Sequence, residues 1–182
     1  MEILGENKKM LVILEGADGS GKTSLATRIR KDIDEYLLLL RSNGPPHTLG
    51  QLANVIGTLT TLRDSSLPII TDRNPVLSEY VYGPIIRGKC MHALSIEQLA
   101  RWFKDTMIIH CRPNYQALAA GVRREVQMDG VVLNHRQIIK AYDDLMGSLE
   151  KEGVYIKRYD YTGPPQLVLD SIKAFIRKGT PQ

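Results

Sequence analysis

The residues best suited to chemistry stand near the start of the chain, in the run Gly16-Ala17-Asp18-Gly19-Ser20-Gly21-Lys22-Thr23. Glycines at this spacing let the backbone turn tightly enough for successive amide N–H groups to converge on one anion. A helix starting at the end of the run adds the positive pole of its dipole. Lys22 then brings a mobile cation to the terminal phosphates of a nucleoside triphosphate, and the Thr23 hydroxyl is a hard oxygen ligand for Mg²⁺. With Ser24 behind it, the whole run is a candidate ATP-binding segment.

Asp72 and Arg73 close a second apolar run, Pro68-Ile69-Ile70-Thr71. An acid at the carboxyl end of a parallel strand points into the crevice where open α/β sheets bind ligands. There Asp72 would hold the water shell of Mg²⁺ with Thr23, or orient an acceptor and serve as its base in place of Asp18, and Arg73 would offer a planar fork to phosphate or carboxylate. Two roles fit Asp18: it takes the proton of an attacking hydroxyl, or it caps the loop by accepting from backbone N–H groups. Arg123 and Arg124 precede a Met128-Asp129-Gly130 break. They are either catalytic arginines carried to the transferring phosphoryl group by a mobile flap over about 121–133, or solvated helix residues. Arg112-Pro113 and Tyr161-Thr162-Gly163-Pro164 follow later strands and are expected on the same sheet edge, with Arg112 near the adenine.

These groups need a frame, and apolar runs alternating with segments of helical period supply one. That alternation is the pattern of βαβ units around a parallel sheet covered on both faces. The spacing predicts strands at 10–14, 36–40, 68–72, 106–110 and 154–159. It predicts helices after Gly21, at 49–62 with Leu52, Val55, Ile56 and Leu59 inward, through Phe103, at 114–127, from Asn134, and at the C-terminus. Ser95 with Gln98 is a capping box. From Pro75 to Gly88 the pattern is mixed and predicts a short helix or loop.

The 182 residues suit one domain, 1–182. With 43% hydrophobic and 24% charged residues and a mean hydropathy of −0.18, the composition excludes a disordered tail. No apolar run nears the roughly 18 residues of a membrane helix. The polar N-terminus lacks signal-peptide order, so a cytoplasmic location is expected. Cys90 and Cys111 form no metal-binding cluster and are expected to be reduced. A net charge of +4 agrees with a phosphate-bearing partner without demanding one.

The run from Glu15 to Thr23 resembles the P-loop of the thymidylate kinase family, and Asp72-Arg73 resembles that family's Asp-Arg motif. The resemblance implies a three-layer P-loop fold with a five-stranded parallel sheet, an ATP·Mg²⁺ donor site at residues 16–24, and an acceptor site near Asp18, Asp72 and Arg73. The segments Arg41 to His47, Asn74-Pro75 and Arg123 to Gln127 depart from that family. The run Asp72 to Pro84, with Gln127 to Val131, looks more like phage kinases that phosphorylate 5-hydroxymethyluracil in DNA. In that likeness Asp18, Arg73, Glu79 and Tyr82 would meet the acceptor, with Tyr80, Tyr82 and Trp102 as stacking platforms for a flipped base. The enzyme would work in the host cytoplasm if phage-encoded. A deoxynucleoside monophosphate acceptor is the alternative. A nucleotide-binding switch ranks third, because no NKxD-like motif specifies a guanine.

Overall fold

In the computed structural model, residues 11–33, 38–41, 46, 48–63, 68–122 and 129–178 are described. Strand β1 (Leu11–Glu15) is buried at every position and feeds helix α1 (Lys22–Asp32). Then follow β2 (Leu38–Arg41), α2 (Leu49–Arg63), β3 (Ile69–Asp72), α3 (Pro75–Arg87), α4 (Ile96–Phe103) and β4 (Thr106–Cys111). The described chain ends with α5 (Tyr115–Val122), α6 (His135–Lys151), β5 (Tyr155–Tyr159) and α7 (Gln166–Lys178).

The strands form one parallel sheet in the order β2-β3-β1-β4-β5. The expected five-stranded parallel α/β architecture is therefore present. Alternate residues of β1 serve two cores, as the pleat requires. Val12 and Leu14 pack with Leu25, Ile29, Ile172 and Phe175 of α1 and α7. Leu11 and Ile13 pack with Leu77, Val81, Leu99, Ile138 and Leu145 from the opposite helical layer. Sequence order reverses on either side of β1, so the crevice at its carboxyl end is where a ligand of such a sheet binds.

Several local expectations are corrected. Of the two alternatives for Pro75 to Gly88 the helix is the one that forms, and it is longer than expected, 13 residues from Pro75 to Arg87. The Asn74 side chain accepts from Val76 N (3.0 Å) and Leu77 N (3.4 Å), Pro75 occupies the first turn where no N–H is needed, and Gly88 ends the helix in the left-handed region. Val55, expected inward, is 39% exposed, because the inward face of α2 is carried by Leu52 and Leu59, with Ile56 and Leu62 half-buried beside them. Strand β2 runs on to Arg41, pairing it in register with Asp72. Residues 36 and 37, and Gly44-Pro45, lie outside the described residues, as do 123–127 of the helix expected at 114–127. The Ser95–Gln98 capping box forms as expected.

One buried group behind the loop has a measurable consequence. His110 on β4 stacks at a tilt on Tyr142 (6.4 Å between centroids), and its Nε2 is buried without a hydrogen-bond partner. Burial pushes its imidazole down to about 4, against the pull of Asp143 and helped by Arg158, Arg112 and Lys22. The folded state thus binds the proton less readily than the unfolded chain. Stability is complete above the ordinary pKa near 6.5 and is lost as pH falls toward 4, by about 2 kcal/mol at pH 5. We predict that His110→Phe, which keeps the ring stack, flattens this acid limb in urea titrations at pH 7 and pH 5. Parallel losses in the two proteins would show that His110 is not responsible.

Candidate active site

Strand β1 delivers the chain to Gly16 at φ +146°, where any side chain would strike the Cys111 carbonyl oxygen, 2.3 Å from the position of a Cβ. Glycine is required there for conformation and space alike. The loop then folds around its own lysine: Lys22 Nζ donates to Gly16 O (2.9 Å), Ala17 O (2.7 Å) and Ser20 Oγ (3.1 Å). Burial, followed by the repulsion of Arg73, lowers the Lys22 ammonium to about 8. A cation so poorly solvated gains strongly from an arriving phosphate.

Beside it, Thr23 Oγ1 donates to Asp72 Oδ2 at 2.8 Å. A hydroxyl and a carboxylate in contact, from the first turn of α1 and the carboxyl end of β3, are hard oxygen donors of the kind Mg²⁺ takes alongside phosphate and water. Among the described residues no group of three or more His, Cys, Asp or Glu side chains could hold a metal.

Arg73 is the one non-glycine at positive φ among the described residues, at +77°. Such a conformation persists only when its surroundings over-determine it, and here they do. Arg73 N donates to Leu14 O (3.0 Å), and Asn74 N donates to the Glu15 carboxylate. Glu15 also accepts from Ser78 Oγ (3.1 Å), Tyr142 OH (2.9 Å) and Gly16 N (3.3 Å), tying loop, α3 and α6 together. Burial pushes the Glu15 carboxyl up, against the opposing pull of Arg73.

The Arg73 side chain folds back over the loop. It forms an ion pair with Asp18 Oδ1, and its guanidinium lies 5.6 Å from the centre of the Tyr82 ring. Tyr82 OH donates to Asp18 Oδ2 at 2.8 Å, and burial raises its phenol well above the ordinary range. The Asp18 side chain is therefore held by Arg73 and Tyr82, and the alternative in which it caps its own loop is corrected.

A cleft of about 720 Å³ opens over these groups. Residues 18–24, Asp72 and Arg73 line it, together with Tyr159, Tyr161, Gly163 and Pro165 on the β5 side. Arg28 and Arg41 also line it and were not singled out from sequence. The end-of-strand argument that picks Asp72 would have picked its register partner Arg41 as well.

Other expected site residues stand elsewhere. Arg112 is bound by Asp143 through Nε (2.8 Å) and Nη2 (2.9 Å) and stands apart from the residues that line the cleft. Glu79 is buried, pairs with Arg87 and accepts from Met91 N (2.8 Å), bracing the end of α3 instead of meeting an acceptor. Tyr80 stacks on His92 and Trp102 on Phe103, both packed against the core, so neither is a platform at the cleft. Arg123 and Arg124 lie outside the described residues.

A parallel five-stranded sheet with a phosphate-type loop after its central strand defines the class of fold. Known structures share it. The YorR protein of Bacillus subtilis, solved in complex with phosphorylated GDP, superposes with a TM-score of 0.62 at 16% identity, covering 92% of this chain and 96% of that one. Deoxyadenosine kinase from M. mycoides, with dCMP and a flexible dCDP bound, gives 0.58 at 10% identity over 92% and 99% of the two chains. The same enzyme with dATP gives 0.56 at 10% identity over 93% and 100%. No protein-family model and no curated protein sequence matches the chain. Among the described residues, no helix is long and apolar enough to cross a membrane.

Proposed function

We propose that this protein is an ATP- and Mg²⁺-dependent phosphotransferase that moves the γ-phosphoryl group to the hydroxymethyl of 5-hydroxymethyldeoxyuridine in DNA. The observation that carries the reading is the carboxylate of Asp18, held by Arg73 and Tyr82 inside the phosphate loop and on the cleft wall. A carboxylate there repels an anionic acceptor and suits a hydroxyl, whose proton it can take. The loop amides and Lys22 would hold the triphosphate, and Thr23 and Asp72 would hold Mg²⁺, which spreads the charge of the transferring group. The acceptor oxygen attacks the γ-phosphorus, its bond to the β-phosphate oxygen breaks, ADP leaves, and the hydroxyl proton passes to Asp18. Arg73 would neutralise developing charge, joined by Arg123 and Arg124 if their segment reaches the site. Such a reaction belongs in the cytoplasm, that of a host if the gene is a phage's, where ATP is abundant and Cys90 and Cys111 stay reduced. The chain would act as one kinase domain.

Arg41 supports a second reading. A further guanidinium on the cleft wall, beside Asp72 in register, is suited to the phosphate of a deoxynucleoside monophosphate. In the kinase neighbours, the bound ligands are deoxynucleotides.

The decisive experiment supplies γ-labelled ATP with either 5-hydroxymethyluracil DNA or free dTMP. Label in the DNA alone is the expected result; label in dTMP alone rejects the DNA reading in favour of the monophosphate. With the DNA acceptor, Asp18→Asn is expected to slow transfer about 10²-fold, the usual scale of general-base loss. A near-normal rate would leave Asp18 only its contacts with Arg73 and Tyr82.

A further inference from the structure

The peptide between Asp18 and Gly19 is the central one of a tight turn, in which Ser20 N donates to Ala17 O at 3.3 Å. Gly19 has φ +75°, whereas Asp18 is not at positive φ, and this is the type II arrangement. Types I and II differ by a half-turn of this one peptide, which exchanges the directions of its carbonyl and its N–H. For a phosphate loop that exchange matters: one form presents a donor to an anion, the other a carbonyl that repels it.

His135, the first residue of α6, decides between them. It is buried, and its Nε2 lies 3.2 Å from the Asp18 carbonyl oxygen. That oxygen can only accept, so the imidazole carries its proton on Nε2 and donates it. His135 is not among the cleft-lining residues, whereas Asp18 and Gly19 are. The carbonyl therefore points away from the cleft, and across a trans peptide the Gly19 N–H points the opposite way, toward it. The ring is itself braced by Tyr115 (centroids 6.5 Å apart), which Arg136 holds through Nε (3.0 Å) and by stacking. A second contact, from α5, falls on the next peptide of the turn, Gly19–Ser20. A Cβ on Gly121 would lie 2.6 Å from Gly19 O and 2.8 Å from Gly19 Cα, so only backbone fits between the two.

We infer that His135 is a positioning residue: it locks the Asp18–Gly19 peptide so that the Gly19 N–H faces the triphosphate. The inference rests on the triphosphate site of the proposed function and deepens it. The test measures ATP·Mg²⁺ binding by calorimetry and the Gly19 amide proton by NMR in the intact protein, in His135→Leu, His135→Gln and His135→Asn. Gln can place an amide N–H where Nε2 stands; Asn is too short.

The expected result is a downfield shift of the Gly19 amide on adding ATP to wild type. His135→Leu and His135→Asn should lose that shift and bind ATP about 10-fold more weakly, the scale of one hydrogen bond. His135→Gln should stay within about three-fold of wild type. If His135→Leu fails to fold, the Gln and Asn pair still decides. Equal behaviour of Gln and Asn, or an unchanged Gly19 shift in the variants, overturns the inference while leaving the nucleotide site standing. Failure of wild type to bind ATP at all overturns both.

Discussion

Lys22→Ala is expected to lower phosphoryl transfer to any acceptor by about 10³-fold or more, the scale on which a positioned cation stabilises a transferring phosphoryl group. The reason lies in where the ammonium sits before substrate arrives. It is buried, held by two carbonyls and a hydroxyl of its own loop, and pushed down to about 8 by that burial and by Arg73. An incoming triphosphate replaces weak dipolar partners with full negative charge, so the nucleotide gains most of what the free loop withholds. The sign of the pH dependence follows. In the free protein the lysine loses its proton as pH rises through about 8, so ATP must then bind together with a proton and its affinity declines. Near pH 8 calorimetry in buffers of different ionisation enthalpy should record proton uptake of about half an equivalent. Lys22→Arg, which stays protonated, should abolish that uptake. Transfer at wild-type rates in Lys22→Ala would remove this loop from the chemistry. A melting curve must accompany the assay, because the substitution strips partners from Gly16 O and Ala17 O.

Asp72→Ala carries the second large effect, a loss of about 10³-fold that excess Mg²⁺ partly restores. The carboxylate touches Thr23 Oγ1 at the mouth of the cleft, and hydroxyl with carboxylate is the only hard-oxygen pair seen bridging loop and β3 among the described residues. Removing the carboxylate weakens the hold on the metal, not on the nucleoside, so half-saturating Mg²⁺ should rise at least about 10-fold. Thr23→Val should shift it in the same direction by less, since a neutral hydroxyl is the weaker ligand. An unchanged Mg²⁺ titration in Asp72→Ala would show that the metal is held elsewhere, and the Thr23–Asp72 contact would then be a link between α1 and β3 only.

The arrangement also explains why the surroundings of Asp18, proposed to meet an acceptor, are less legible in the sequence than the phosphate-type loop. The phosphate grip is local: residues 16–23 are contiguous, and their spacing with the strand before and the helix after states its own purpose. The contacts around Asp18 and Glu15 are assembled across the chain. Asp18 meets Arg73 and Tyr82 from residues more than fifty positions away, and Glu15 meets Tyr142 across 127. Glu79 and Tyr82 both follow the Asp-Arg pair on one helix, yet only Tyr82 reaches Asp18, while Glu79 turns to Arg87 and Met91. Three residues along a helix separate a partner of Asp18 from a brace, and periodicity alone cannot say which face meets the loop.

By itself the sequence determined the alternation of strands and helices, the phosphate loop and the acid at the end of β3. Each follows from short-range rules: backbone preference, side-chain period and turn chemistry act over a few residues. Tertiary structure alone decided that Arg41 stands beside Asp72, that Arg112 is bound by Asp143, that Asp18 is clamped between Arg73 and Tyr82, and that His135 grips the loop from behind. Those contacts depend on strand order, register and the rotation of whole helices against the sheet. They are set by the packing of two buried layers at once, and no window of neighbouring residues contains that information.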